Sequence, residues 1–178
     1  MPRREIRITG YGGQGIILTG YIFGKAAAIF DDGHSTMTQS FGPEARGSAC
    51  ASALVLDDKV IDYPYLRRTD VLLALSREGY EKYEPELKDD GILIFDQDMV
   101  EPHKARGNIQ MLGIPAARIA EELGKRIVQN IVVVGFATAA AQIVGVDAAR
   151  EAVKSSVPES LVDLNLKAFE KGYEYFKN

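Results

Sequence analysis

Short strands alternating with helices, opened by a glycine-rich turn, predict a single three-layer α/β domain over residues 1–178. Its sheet is expected to be mixed and mostly parallel. Two observations carry this. Residues 4–9, R-E-I-R-I-T, read as a short strand that runs straight into glycines 10, 12, 13 and 15 and then an apolar helix. The continuous apolar runs D-V-L-L-A-L-S at 70–76 and G-I-L-I-F at 91–95 read as strands buried on both faces.

Taken in order, residues 4–9 alternate as a first strand, and residues 16–30 form an Ala-rich helix stopped by Asp31-Asp32-Gly33. Residues 34–40 carry β-branched side chains at alternate places and read as a second strand, and 49–56 as a third. Asp57-Asp58-Lys59 reads as a tight turn into Val60-Ile61, so antiparallel pairing is expected there. After the buried strand at 70–76 come a short helix at 78–87, the strand at 91–95 and a further strand at 108–112. Pro115 starts and Gly124 stops an amphipathic helix. Residues 127–144 form a helix with no polar face, which must be buried at the centre of the fold or in a subunit interface. Asp147 is the expected N-cap of a helix at 147–154, and the last helix spans 158–176.

Composition narrows the function. A net charge of −4 gives no reason to expect nucleic acid or an anionic membrane as partner. No apolar run reaches the ~18–20 residues of a membrane-spanning helix, and the N-terminus lacks the pattern of a secretory leader. A cytoplasmic location is the expectation. The one cysteine, Cys50, cannot form an internal disulfide or ligate a four-cysteine iron–sulfur cluster.

Gly10-Tyr-Gly12-Gly13-Gln14-Gly15 is a phosphate cradle in physical terms. Backbone N–H groups stand unobstructed at the positive end of a helix dipole, as at the opening of a Rossmann-like fold. A nicotinamide dinucleotide site also wants an acidic residue about 20 positions on, at the end of the second strand. Asp31 and Asp32 have that spacing but end the helix instead. Three readings stay open: a bound phosphate group, a nicotinamide cofactor, and a purely structural turn.

A second loop, Ser40-Phe41-Gly42-Pro43-Glu44-Ala45-Arg46-Gly47-Ser48, is less generic. Arg46 is placed to clamp phosphate or carboxylate, unless it only pairs with Glu44. In a doubly wound sheet this loop and the glycine loop leave the same carboxyl edge.

Gly10-Tyr-Gly-Gly-Gln-Gly15 together with Ser40-Phe-Gly-Pro-Glu-Ala-Arg-Gly47 resembles the gamma subunit of the 2-oxoacid:ferredoxin (acceptor) oxidoreductases. That group covers the pyruvate, 2-oxoglutarate, 2-oxoisovalerate and indolepyruvate enzymes. Gln129-Asn130-Ile-Val-Val-Val-Gly135 is similar to a late N-x-x-x-x-G segment of the same family. Two departures, Phe41 for a common tyrosine and Ser48 for a common glycine, leave the charged groups in place.

The resemblance implies a subunit, inactive alone, of a complex that oxidatively decarboxylates a 2-oxoacid with coenzyme A. The products are an acyl-CoA, CO2 and reduced ferredoxin or flavodoxin. It also implies alpha, beta and in some cases delta partner chains, which carry thiamine diphosphate, Mg2+ and [4Fe-4S] clusters. On this chain it implies coenzyme A contacts at Gly10, Gly12, Gly13, Gln14, Gly15, Gly42, Glu44, Arg46, Gly47 and Asn130, with Lys25 nearby. No catalytic and no metal-ligating residue is expected here.

The other chemistry-bearing residues have plainer readings. Cys50 reads as a core residue among small neighbours. His34 and His103 lack partners at ligand spacing, and Asp96 and Asp98 read as turn residues. Asn130 also reads as an N-cap. Tyr63/Tyr65 and Tyr80/Tyr83 are either edge packing or a partner surface. The alternatives to the gamma-subunit reading are a nicotinamide-dependent oxidoreductase and a non-catalytic scaffold.

Overall fold

The computed structural model describes residues 2–42, 49–104 and 106–177. Six strands form one sheet: β1 (Arg4–Tyr11), β2 (His34–Phe41), β3 (Ala49–Asp57), β4 (Thr69–Ala74), β5 (Leu87–Asp96) and β6 (Gln110–Ile114). Their spatial order is β2-β3-β1-β4-β5-β6. β1, β4, β5 and β6 pair in parallel, while β3 runs antiparallel to both β1 and β2. The expected mixed, mostly parallel α/β sheet is what forms.

Among the described residues six α-helices complete the fold: α1 (Ile16–Lys25), α2 (Arg77–Tyr83), α3 (Ala116–Glu122), α4 (Gln129–Ala141), α5 (Val146–Lys154) and α6 (Val162–Lys177). Alternation along the strands sends Ile6, Ile8, Leu54, Leu56, Val71 and Leu73 to one face, where α1 and α3–α6 bury them. Leu72, Ala74 and Leu93 point the other way, into a smaller core closed by Tyr80 and Tyr83 of α2 with Val100 and Ile109. Tyr80 and Tyr83 are therefore core residues, not partner-surface candidates. The Tyr80 hydroxyl accepts from His103 N–H at 3.0 Å, and the Arg7 guanidinium stacks 4.5 Å from the Tyr83 ring centre. Tyr63 and Tyr65 remain exposed.

The antiparallel pairing lies elsewhere than expected. Asp57 does turn the chain, accepting from Lys59 N–H at 3.2 Å. Val60 and Ile61, however, join no strand, and Val60 is 71% exposed. β3 already has β2 on one side and β1 on the other, so no edge is left for them.

The all-apolar helix resolves as α4, inside the fold. Its Gly135 and the Gly172 of α6 let the two backbones touch. A Cβ on Gly135 would collide with the Phe169 carbonyl, and one on Gly172 with the Val132 carbonyl. The expected cap of α5 is absent: Gly145 is the N-cap residue and offers no side chain. Asp147 lies inside the first turn and accepts from Arg150 at 2.9 Å, still favourably placed for the helix dipole.

Candidate functional site

The carboxyl edge of the sheet gathers the informative loops. Tyr11 stands opposite Ala49, and Phe41 opposite Cys50, so the glycine loop and the ends of the 42–49 connection leave the sheet together. Gly42 N–H donates to the Ala49 carbonyl at 2.8 Å and closes that hairpin. Glu44, Arg46 and Gly47 lie outside the described residues.

The glycine loop is held by its own glutamine. The Gln14 Oε1 accepts from Tyr11 N–H at 2.6 Å, and its Nε2 donates to the Leu75 carbonyl at 3.0 Å. The amide thus ties the loop to β1 and to the end of β4. Gly13 and Gly15 have φ of +98° and +73°, the left-handed region that a side chain disfavours. Gly15 is the N-cap residue of α1 and supplies no capping side chain, so the first-turn N–H groups of that helix face the loop without an intrahelical acceptor. This is the arrangement that attracts an anion.

Gly12, Gly13, Gly15 and Asn130 line an open cavity of about 430 Å3, walled also by Phe41, Cys50 and Ile127. Asn130 is only 3% exposed, and its Nδ2 has no hydrogen-bond partner among the described residues. It is not the N-cap of α4, because that place belongs to Val128. The short 3-10 turn at Arg126–Val128 starts the helix earlier and turns Asn130 inward. The side chain packs on Gly15, where an added Cβ would come within 2.6 Å of its Cγ. Two segments 115 residues apart in the chain thus share one pocket. A buried amide donor without an acceptor costs about 1–3 kcal/mol, which a ligand oxygen in the cavity would remove.

The remaining expected contacts separate. Gly10 and Gln14 shape the loop but do not line the cavity, and Gly42 borders a smaller cavity of about 70 Å3. Lys25 is not nearby: it sits at the far end of α1, where its Nζ donates to the Ser155 carbonyl at 2.8 Å. Asp31 is farther still. It lies about 20 Å from the glycine loop along the helical segment, and its Oδ2 accepts from Gly145 N–H at 2.6 Å. That placement removes it from any ribose site.

Two titratable groups at this edge are perturbed by burial. Desolvation pushes the Cys50 thiol up, keeping it protonated at neutral pH. Desolvation likewise raises Asp96, outweighing its bond from Asp98 N–H at 3.0 Å. Asp96 and Asp98 form the expected turn, and Asp98 also pairs with Arg118 at 2.8 Å. Among the described residues no group of three or more His, Cys, Asp or Glu side chains is placed to hold a metal. No helix of the described residues is long and apolar enough to cross a membrane.

The family model for pyruvate ferredoxin/flavodoxin oxidoreductase matches residues 5–175. The chain belongs to that family. It is 44% identical over 177 residues to the 2-oxoglutarate synthase subunit KorC of Methanocaldococcus jannaschii, covering 98% of this chain and 95% of the relative. Among solved structures it matches the gamma subunit of a keto/oxoacid ferredoxin oxidoreductase from Geobacter sulfurreducens. That match has 40% identity, a TM-score of 0.84 and 98% of each chain covered. The 2-oxoglutarate:ferredoxin oxidoreductase of Magnetococcus marinus, solved with 2-oxoglutarate, coenzyme A and succinyl-CoA bound, shares the fold at a TM-score of 0.89. Its identity is 23%, with 99% of this chain matched to 31% of that one. The described parts of the two sequence motifs lie together at the carboxyl edge of the sheet. The motifs did not show that Phe41 and Ile127 wall the same cavity. An exposed isoleucine just ahead of an apolar helix, Ile127, was the available signal.

Proposed function

We propose that the glycine loop and Asn130 hold the diphosphate of coenzyme A in a 2-oxoacid:ferredoxin oxidoreductase of which this chain is the gamma subunit. The observation that carries the reading is the orphaned Asn130 amide beside the uncapped N-terminus of α1. Both are donors, and both face a cavity large enough for a diphosphate. Backbone N–H groups and the helix dipole supply the attraction, since none of the described residues lining the cavity is charged. Arg46 is the proposed cation, with Glu44 and Gly47 shaping its loop, because Phe41 at the start of that loop already walls the cavity. Phe41 and Ile127 offer apolar surface to the rest of the ligand.

In this reading the chain orients a co-substrate and contributes no reacting group. Thiamine diphosphate, Mg2+ and iron–sulfur clusters belong to alpha, beta or delta chains of a cytoplasmic complex that passes electrons to ferredoxin or flavodoxin. The KorC relative, a 2-oxoglutarate synthase subunit, favours 2-oxoglutarate as the oxidised acid, and the M. marinus enzyme with succinyl-CoA bound supports that product.

The test is calorimetric titration of the assembled complex with coenzyme A. Asn130→Ala is expected to weaken binding about 10- to 100-fold, the worth of a hydrogen bond to a charged group. Unchanged affinity overturns the assignment. The purified chain alone is expected to reduce no viologen dye with any 2-oxoacid plus coenzyme A.

A further inference from the structure

Toward the amino edge of the sheet lies a cavity with cationic walls. It measures about 380 Å3 and is lined by Arg7, Leu66, Arg67, Arg68, Pro85 and Glu86. Arg67 and Arg68 directly precede β4, and Pro85 and Glu86 directly precede β5, its parallel neighbour. The glycine loop begins about 13 Å farther along β1 from Arg7, at the carboxyl edge. Three arginines and one glutamate give these walls a net charge of +2. A concave site of one sign concentrates the field on whatever enters it.

Packing fixes the first arginine. The Arg7 side chain is only 17% exposed, and its guanidinium lies 4.5 Å from the Tyr83 ring centre. Nη2 of Arg7 donates to Glu86 at 2.9 Å. Its Nε is buried and has no hydrogen-bond partner among the described residues. A buried donor left unmet is costly until an acceptor completes it.

The other two are held by their backbone, not by their side chains. The buried Glu5 carboxylate accepts from the N–H groups of both Arg67 and Arg68, and its other oxygen accepts from Arg3 at 3.1 Å. Glu5 thus pins the segment while its charge is taken up by Arg3. Glu86 is engaged by Arg7. Among the described residues neither the Arg67 nor the Arg68 guanidinium makes an ion pair. Elsewhere Arg77, Arg106, Arg118 and Arg150 each pair with a carboxylate. A guanidinium offers a planar fork that matches the oxygens of carboxylate and phosphate.

We infer that this cavity binds a compact polyanion, one carrying two or more carboxylate or phosphate groups, at a place separate from the glycine-loop cavity. Arg7 anchors one oxyanion group at the wall, and Arg67 and Arg68 close on a second from the rim. The ligand thereby ties the segment before β4 to the turn before β5. The inference does not depend on the coenzyme A reading.

The experiment is calorimetric titration of the purified chain with citrate and, separately, with inorganic pyrophosphate. An ionic strength of about 0.15 M screens loose surface attraction. Arg67→Gln/Arg68→Gln is expected to weaken citrate binding at least about tenfold, as for lost hydrogen bonds between charged groups. Glutamine keeps the backbone N–H bonds to Glu5, so the variant is expected to melt at the wild-type temperature when no probe is present. Citrate is expected to raise the melting temperature of the wild-type chain but not of this variant. Asn130→Ala is expected to leave citrate binding unchanged. The pyrophosphate arm is read as the binding lost in the double variant, because the glycine loop can hold the same probe. Tighter citrate identifies a carboxylate ligand, and tighter pyrophosphate a phosphorylated one. The proposal is overturned if neither probe binds the wild-type chain, if the double variant binds both equally well, or if Asn130→Ala abolishes citrate binding.

Discussion

The two ends of α1 differ in what they leave unsatisfied. At the N-terminal end the open groups are hydrogen-bond donors: first-turn N–H groups and the buried Asn130 amide. At the C-terminal end they are apolar side chains, Tyr21 and Ile29, beside the edge strand β2. Unpaired buried donors call for a small ligand rich in acceptors, whereas exposed apolar area is non-directional and selects no particular partner. One helix thus separates an end with unpaired donors from an end with exposed apolar side chains, about 15 Å apart. The backbone follows the same division. The N-terminal end holds φ at +98° and +73° in Gly13 and Gly15, while the C-terminal end runs on into a π turn over Ala26–Phe30.

Substitutions can break that contrast, and the largest effect is expected at Gly15. Alanine there meets both a positive φ and the Asn130 side chain, so urea unfolding should show a loss of about 2–3 kcal/mol. Wild-type stability would mean that the loop is not conformationally locked. Asn130→Ala sharpens the comparison from the other side. Because its Nδ2 has no partner among the described residues, stability should change by about 1 kcal/mol or less, even as coenzyme A affinity of the complex falls. A large stability loss with intact affinity would make Asn130 structural.

Asp96 tests whether buried polar groups at the carboxyl edge carry a cost. Burial raises its pKa above 3.8, so the native state keeps the proton longer than the unfolded chain does. The penalty is absent below the ordinary carboxylate range, grows as pH rises through the raised value, and is fully present above it. Asp96→Asn should therefore stabilise the chain at neutral pH and flatten this part of the pH profile in thermal melts. Equal stability of both proteins at pH 7 would show that the bonds from Asp98 and Ala117 N–H offset the desolvation. The smallest effect belongs to the apolar end of α1: Tyr21→Ser in the chain alone should shift stability by about 0.5 kcal/mol or less. A larger loss would mean that Tyr21 is part of the core.

The strands and helices were legible because their signals are local. Ile6 and Ile8 alternate, the 70–76 and 91–95 runs are continuous, and Gly124 stops α3 with a φ of +85°. The misreadings all concern partners. Tyr80 and Tyr83 look like surface aromatics until the other face of the sheet closes over them. Asp147 has the chemistry of a cap but sits two positions past the N-cap residue, Gly145. Asp31, in contrast, reads correctly as ending the helix and not as a ribose ligand, and it lies at the far end of the α1 segment.

Sequence alone determined that this chain makes an α/β sheet with a glycine loop at its first strand-to-helix turn. Periodicity and the conformational freedom of glycine act within a few residues. Tertiary structure alone decided that β3 slots between β2 and β1, that Asn130 turns inward against Gly15, and that β2 is left as an open edge. Those outcomes depend on which distant segment occupies each face and edge first, a competition among long-range contacts that no local pattern encodes.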